Sequence, residues 1–328
     1  MHVLITGGAG FIGSHVTDHL LEQGKRVTVY DNLSTGHPEF LAEARKCASF
    51  SFVQGDCLDR SALARAMDGV DLVIHLAANA DVRFGIEHPG RDLEQNTIAT
   101  FNVLEAMRES GSKKIAFSST GSVYGENPVI PTPENAPFPI QTSLYGASKL
   151  AGEWLIAAYC EGFGFRSWIF RFVSVFGERY THGHLFDFYK SLRKDPTRLK
   201  ILGDGRQKKS YLYVRDCVAA MDTALRASEE KVNVFNLGTD EYTEVNDSIR
   251  WMCEYLGVSP LLEYTGGAHG WAGDNPFIFL DCSKIHGLGW KPTLSIKEAA
   301  VRTLRFLESS PAMKRPVEEK ELSHDYHA

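Results

Sequence analysis

Tyr145 and Lys149 stand four residues apart in a stretch with helical patterning, so both side chains leave the same face of a helix. The pair has a chemical use. A free phenol, with a pKa near ~10, leaves only about one molecule in a thousand ionised at neutral pH. An ammonium at ~4 Å contributes on the order of 4 kcal/mol at an effective dielectric of ~20, and a positive nicotinamide ring beside it would add to this, enough in principle for a shift of roughly three units. Tyr145 is therefore a candidate general base and Lys149 the charge that prepares it. The spacing alone is common in ordinary helices. It gains meaning from Ser118-Ser119-Thr120, which follows a short apolar run and so falls at the carboxyl edge of a sheet, where a hydroxyl can orient or relay a proton.

A second constellation lies near the start. Thr6-Gly7-Gly8-Ala9-Gly10-Phe11-Ile12-Gly13 follows an apolar run and opens a helical one, with glycines at 7, 10 and 13. One glycine serves a tight turn, one lets a pyrophosphate approach the backbone, and one lets helix and strand pack closely. The helix amino end supplies free N–H donors and positive potential to phosphates. Asp31, at the end of the second apolar run, can accept from both ribose hydroxyls and repel a 2′-phosphate, which favours NAD over NADP. Asp56 is placed either to accept from an adenine amino group or to cap the following helix.

These motifs run in order with others. They are His75-Leu76-Ala77-Ala78, Asn96, Gly121-Ser122-Val123-Tyr124-Gly125, Gly203-Asp204-Gly205-Arg206-Gln207 and Leu288-Gly289-Trp290-Lys291-Pro292. Together, over residues 1 to 310, they make the chain resemble the extended short-chain dehydrogenase/reductase superfamily. Within it the chain is similar to the nucleotide-sugar epimerases and dehydratases, the UDP-hexose 4-epimerases in particular. The resemblance implies NAD held as a prosthetic group along Gly7, Gly10, Phe11, Ile12, Gly13, Asp31, Asn32, Asp56, Cys57, Leu76, Ala77, Ala78, Asn96 and Ser118. It implies Lys149 on the nicotinamide ribose, Thr120 and Tyr145 on the sugar, and Ser122, Ser174, Lys209 and Trp271 along the rest of a UDP-sugar substrate. It also implies a homodimer through helices near 96–109 and 144–161.

The family's dehydratases carry Asp-Glu directly after the threonine, because loss of water needs an acid and a base. Gly121 and Ser122 stand there instead, which favours the simpler inversion at C4. The chain departs from the epimerase pattern at Ser174 in place of Asn, at Lys209-Ser210 in place of Arg-Asp, and at His269-Gly270-Trp271 where an arginine often grips the diphosphate. Lysine keeps charge but lacks the guanidinium fork. Arg83, Arg179, Arg206 and Lys208 are the other available cations, and Ile278 occupies the place that resembles a hexose-size gate. A different oxidoreductase or epimerase of nucleotide sugars, including uronic acid or N-acetylhexosamine forms, and a non-catalytic NAD-binding regulatory protein remain as alternatives.

The elements that must position these residues follow from periodicity. Short apolar, β-branched runs at 3–5, 27–30, 50–53, 72–76, 115–117 and 168–172 alternate with helical patterns at 11–23, 93–109 and 144–161. That alternation predicts an α/β, doubly wound parallel sheet of Rossmann type with a smaller C-terminal substrate-binding lobe. The dinucleotide-binding domain is expected over 1–175, with 212–240 rejoining it through a strand at 234–237. The lobe is expected over 176–211, which includes a basic segment, and 241–310. A flexible tail is expected at 311–328.

Composition narrows the partners. The 328 residues are 43% hydrophobic and 23% charged, as a globular protein requires. A formal net charge of −6 argues against nucleic acid or acidic membranes, which need a cationic surface. The six cysteines lack a CxxC pair and read as reduced thiols in a cytoplasmic protein. No apolar run reaches the ~18 residues of a membrane span. His15, His19 and His75 have no carboxylate or cysteine partners at ligand spacing, so no metal is expected.

Overall fold

The computed structural model describes residues 1–310 apart from positions 139 and 272; the tail expected at 311–328 lies outside the described residues. Six strands come first: β1 (His2–Thr6), β2 (Arg26–Asp31), β3 (Phe50–Gln54), β4 (Leu72–His75), β5 (Lys114–Thr120) and β6 (Arg166–Phe172). Then come β7 (Ser174–Phe176), β8 (Arg198–Ile201), β9 (Lys208–Lys209), β10 (Tyr211–Tyr213), β11 (Val232–Leu237), β12 (Thr243–Glu244), β13 (Leu261–Tyr264) and β14 (Phe277–Ile278).

The main sheet has seven strands in the order β11-β6-β5-β4-β1-β2-β3, all pairs parallel. This is the doubly wound fold the alternation predicts. The strands from β11 to β2 are largely buried on both faces, as parallel sheets require, while β3 at the edge is half-exposed. Val3 and Ile5 face one apolar layer together with Val16, Leu20, Val218 and Met221 from two helices. Leu4 faces the opposite layer with Leu63, Val103, Met107, Ile156 and Cys160. A third apolar cluster, including Phe176, Leu185, Tyr189, Ile201, Tyr211, Ile249, Met252 and Leu304, forms beyond the carboxyl edge of the sheet. There β7 pairs with β10, β8 with β13, and β9 lies between β12 and β14.

The chain leaves β1 toward β2 on one side while β4, β5 and β6 continue on the other. Such a reversal opens a crevice at the carboxyl ends, where ligands of these folds bind.

Three local differences from the sequence-based elements bear on the site. The fifth strand does not stop at 117 but runs to Thr120 in register with Phe172, so Ser118, Ser119 and Thr120 are its last residues. The helix expected at 93–109 begins as a π-helical turn over Leu93–Ile98 before the regular Ala99–Ser110 segment, which the 3.6-residue period does not encode. Asp56 does not cap the next helix: Asp59 caps Arg60–Ala66 by accepting from the Ala62 N–H, while Asp56 accepts from the Leu58 N–H.

Candidate active site

A cavity of about 730 Å³ opens at the crevice and extends toward the third apolar cluster. Its first wall is the glycine loop. Gly7 adopts φ +70°, and a Cβ there would lie 2.7 Å from the Ala77 nitrogen. A Cβ on Gly13 would lie 2.2 Å from the Gly7 carbonyl oxygen. Only glycine allows these two approaches. Gly10 differs: it caps the helix Phe11–Glu22 without a side-chain hydrogen bond and borders the cavity, so the first N–H groups of that helix face open space. Uncapped donors beside a bare backbone fit a pyrophosphate.

The second wall carries acceptors. Asp31 is buried, and its two oxygens take the Ala9 N–H at 2.9 Å and the Leu33 N–H at 2.8 Å. A carboxylate oxygen has two acceptor sites, so each keeps one for a ribose hydroxyl. Asn32 donates to Asp56 at 2.9 Å, tying the second and third strands at their ends. Cys57, whose thiol burial pushes up to about 12, lines the same wall as a neutral group. Leu76, Ala77, Ala78 and Ser118 complete this end of the cavity, which fits the dinucleotide.

Thr120, Ser122, Tyr145 and Lys149 meet where the two walls converge. Ser143 starts the helix Leu144–Phe163 by accepting from the Gly146 N–H, which sets Tyr145 and Lys149 on the inner face. Thr120 accepts from the Ser122 N–H at 3.1 Å and donates to its hydroxyl at 3.2 Å. Lys149 is buried, donates to the Ser118 carbonyl at 2.8 Å and lies 4.8 Å from the Phe117 ring centre.

Burial shifts both members of the pair. Burial lowers the Lys149 ammonium to about 7, against the opposing pull of Glu153 and Asp92. Burial raises the Tyr145 phenol to about 12, offset in part by its hydrogen bond with Thr120. Burial thus opposes charge on both members of the pair.

Asn96 is absent from the lining. Its amide donates to Ser148 at 2.9 Å and to Asp92 at 3.2 Å, and its oxygen takes the Asn79 N–H at 2.8 Å, so it braces the wall from behind.

At the far end Ser174, Lys209, Trp271 and Ile278 do line the cavity. Lys209 is not a free cation, because it donates to Asp274 at 2.8 Å and to the Asn275 carbonyl. The Asp274 side chain is 2% exposed and also takes the Gly270 N–H. Arg179 pairs with Asp18 at 2.7 Å, Arg206 is exposed, and Lys208 sits over Tyr242 and Phe277, so these three stand outside the lining. Arg83 is in the lining and reaches Asp187 at 3.1 Å.

Sequence reasoning missed His184, Tyr211 and Asp274 at this end, and it quoted Gln207 only as part of a motif. His184 Nε2, Gln207 Oε1 and the Trp271 indole N–H are buried without partners among the described residues. Unmet polar groups in a cavity wall mark where a polar ligand compensates.

A sequence model described as "Epimerase: NAD dependent epimerase/dehydratase family" matches residues 3–238. A putative UDP-glucose 4-epimerase of Methanocaldococcus jannaschii is 35% identical over 315 residues, covering 94% of this chain and 99% of its own. A crystal structure of UDP-galactose 4-epimerase superposes with TM-score 0.85 at 38% identity, with 94% and 99% of the two chains covered. A dTDP-glucose 4,6-dehydratase from Streptomyces venezuelae, solved with NAD, gives TM-score 0.88 at 26% identity, with 97% and 100% covered. Other relatives are named as 4-epimerases of UDP-glucuronate and of UDP-N-acetylglucosamine.

Proposed function

The chain belongs to the NAD-dependent epimerase/dehydratase family, and from that premise we propose that it inverts C4 of a UDP-linked hexose of the glucose/galactose type. The observation that carries this reading is the run after Thr120: Gly121 stands outside the cavity lining and Ser122 within it, and neither offers an acid or a base. Dehydration needs both, whereas epimerisation needs one proton acceptor that later returns the proton.

Bound NAD supplies a hydride acceptor and, when oxidised, a positive charge that favours the phenolate. The Thr120 hydroxyl orients the sugar O4. Tyr145 takes the O4 proton as C4 is oxidised and returns it when C4 is reduced from the opposite face. Lys149, anchored to the Ser118 carbonyl, holds its nitrogen at the base of the pair. In this reading residues 1–175 with 212–240 hold the cofactor, and 176–211 with 241–310 hold the sugar nucleotide. The diphosphate then rests on neutral donors such as the Trp271 indole more than on Lys209, whose charge Asp274 already balances.

The same reading includes a cytoplasmic homodimer. Leu93, Ile98 and Phe101 on one helix and Leu144 and Trp154 on its neighbour are exposed apolar side chains, of the kind that association covers. Among the described residues no helix is long and apolar enough to cross a membrane.

Proton NMR of UDP-, GDP-, CDP- and dTDP-sugars incubated with purified protein, without added NAD, tests the reaction. The expected outcome is interconversion of UDP-glucose and UDP-galactose with no accumulation of NADH. Stoichiometric NADH release, or consumption of external NAD in proportion to turnover, would identify an oxidoreductase instead.

A further inference from the structure

His75 has no place in the chemistry above, yet it is fully buried behind it and hydrogen-bonded through both ring nitrogens. The proton positions follow from the partners. The Thr100 hydroxyl gives its one proton to the Asn96 carbonyl at 2.6 Å, so toward His75 it can only accept. His75 Nε2, 3.0 Å away, therefore carries the ring proton. Burial lowers the ring to about 3, so it is neutral and Nδ1 is bare. Nδ1 then accepts the Thr6 hydroxyl at 2.7 Å.

The chain of bonds continues at both ends. Thr6 closes β1 immediately before Gly7, and its oxygen also takes the Ala77 N–H at 3.3 Å. Asn96, in the π-helical turn, donates through its side chain to Ser148 at 2.9 Å, and Ser148 donates to the Tyr145 carbonyl at 2.8 Å. A sequence of hydrogen bonds, joined at Asn96 through the residue itself, thus runs from the root of the glycine loop to the backbone of the residue that takes the sugar proton.

We propose that His75 is a positioning residue: its single neutral tautomer sets the spacing between the cofactor cradle and the helix that bears Tyr145 and Lys149. The inference rests on those two side chains being the reacting ones. The wide turn at Leu93–Ile98 has a use in this arrangement, because it carries the Asn96 residue whose carbonyl accepts from Thr100 and whose amide reaches Ser148. A buried histidine that only filled space would require neither a particular tautomer nor a hydroxyl at position 100.

Two substitutions at Thr100 separate these roles. Thr100→Val keeps the shape and removes the hydroxyl; Thr100→Ser keeps the hydroxyl and removes a methyl. On the NAD-loaded protein, nitrogen-15 histidine spectra should show His75 as the Nε2–H tautomer in wild type and Thr100→Ser, with that fixed pattern lost in Thr100→Val. With UDP-galactose, kcat of Thr100→Val should fall on the order of tenfold with KM changed less than about twofold, as a misplaced reacting group implies. NAD should also leave Thr100→Val faster on dilution, while Thr100→Ser behaves as wild type. An Nδ1–H tautomer in wild type, or Thr100→Ser impaired while Thr100→Val is not, would overturn the proposal. A Thr100→Val chain that fails to fold leaves the wild-type tautomer and Thr100→Ser to decide. A wild type inert toward every nucleotide sugar would end the functional reading, and the tautomer and NAD-release results would still judge the role of His75.

Discussion

At its glycine-loop end the cavity is walled by backbone and by side chains fixed to it, and at its far end by side chains brought together from distant segments. Gly7, Gly10 and Gly13 act through what they lack, within one turn of chain, and Asp31 anchors to Ala9 and Leu33. Lys209, by contrast, finds its partner in Asp274, and His184, Gln207 and Trp271 converge from three separate segments. The first kind of wall tolerates almost no substitution but accepts one fixed ligand. The second can be re-dressed while the fold stays, which fits a family whose members are named for different sugars.

If that contrast is right, Gly13→Ala does the most damage. Its Cβ meets the Gly7 carbonyl at 2.2 Å, so the loop must move. NAD recovered with the purified protein should drop at least roughly tenfold, a size comparable to other losses from small misplacements; retention at the wild-type level would show that the cradle is more plastic than described.

At the other end Asp274→Asn leaves the Lys209 ammonium buried without its counter-charge. Breaking one side of such a pair costs about 3 kcal/mol, read by chemical denaturation, and Asp274→Asn/Lys209→Met should recover most of it. Should Lys209 serve the substrate instead, Asp274→Asn would tighten nucleotide-sugar binding and Lys209→Met would weaken it.

The smallest effect concerns Lys149 in cofactor-free protein. Its folded pKa, about 7, lies below the ordinary 10.5, so between those values the unfolded chain binds more protons and stability rises with pH. Lys149→Met should flatten that rise between pH 7 and 9; denaturation midpoints at the two pH values, compared with wild type, check it.

What the sequence disclosed follows the same division. The sheet was legible because strands buried on both faces read as unbroken apolar runs, and the glycine loop because its residues act within one turn. Tyr145 and Lys149 were legible because a helix fixes the relation between positions four apart. The Lys209–Asp274 pair was not, since 65 positions separate the two residues and no local period links them. The desolvation of Tyr145 and Lys149 was not legible, because only the fold shows that both are buried. Nor does side-chain periodicity announce a π-helical turn, so the role of Asn96 as a brace behind the wall was hidden.

The most direct measurement is turnover of UDP-galactose by Tyr145→Phe, with bound NAD quantified in the same sample. The expected result is full NAD content with kcat lower by 10²-fold or more, as loss of a general base entails. A rate equal to wild type with NAD in place would contradict Tyr145 as the group that moves the proton.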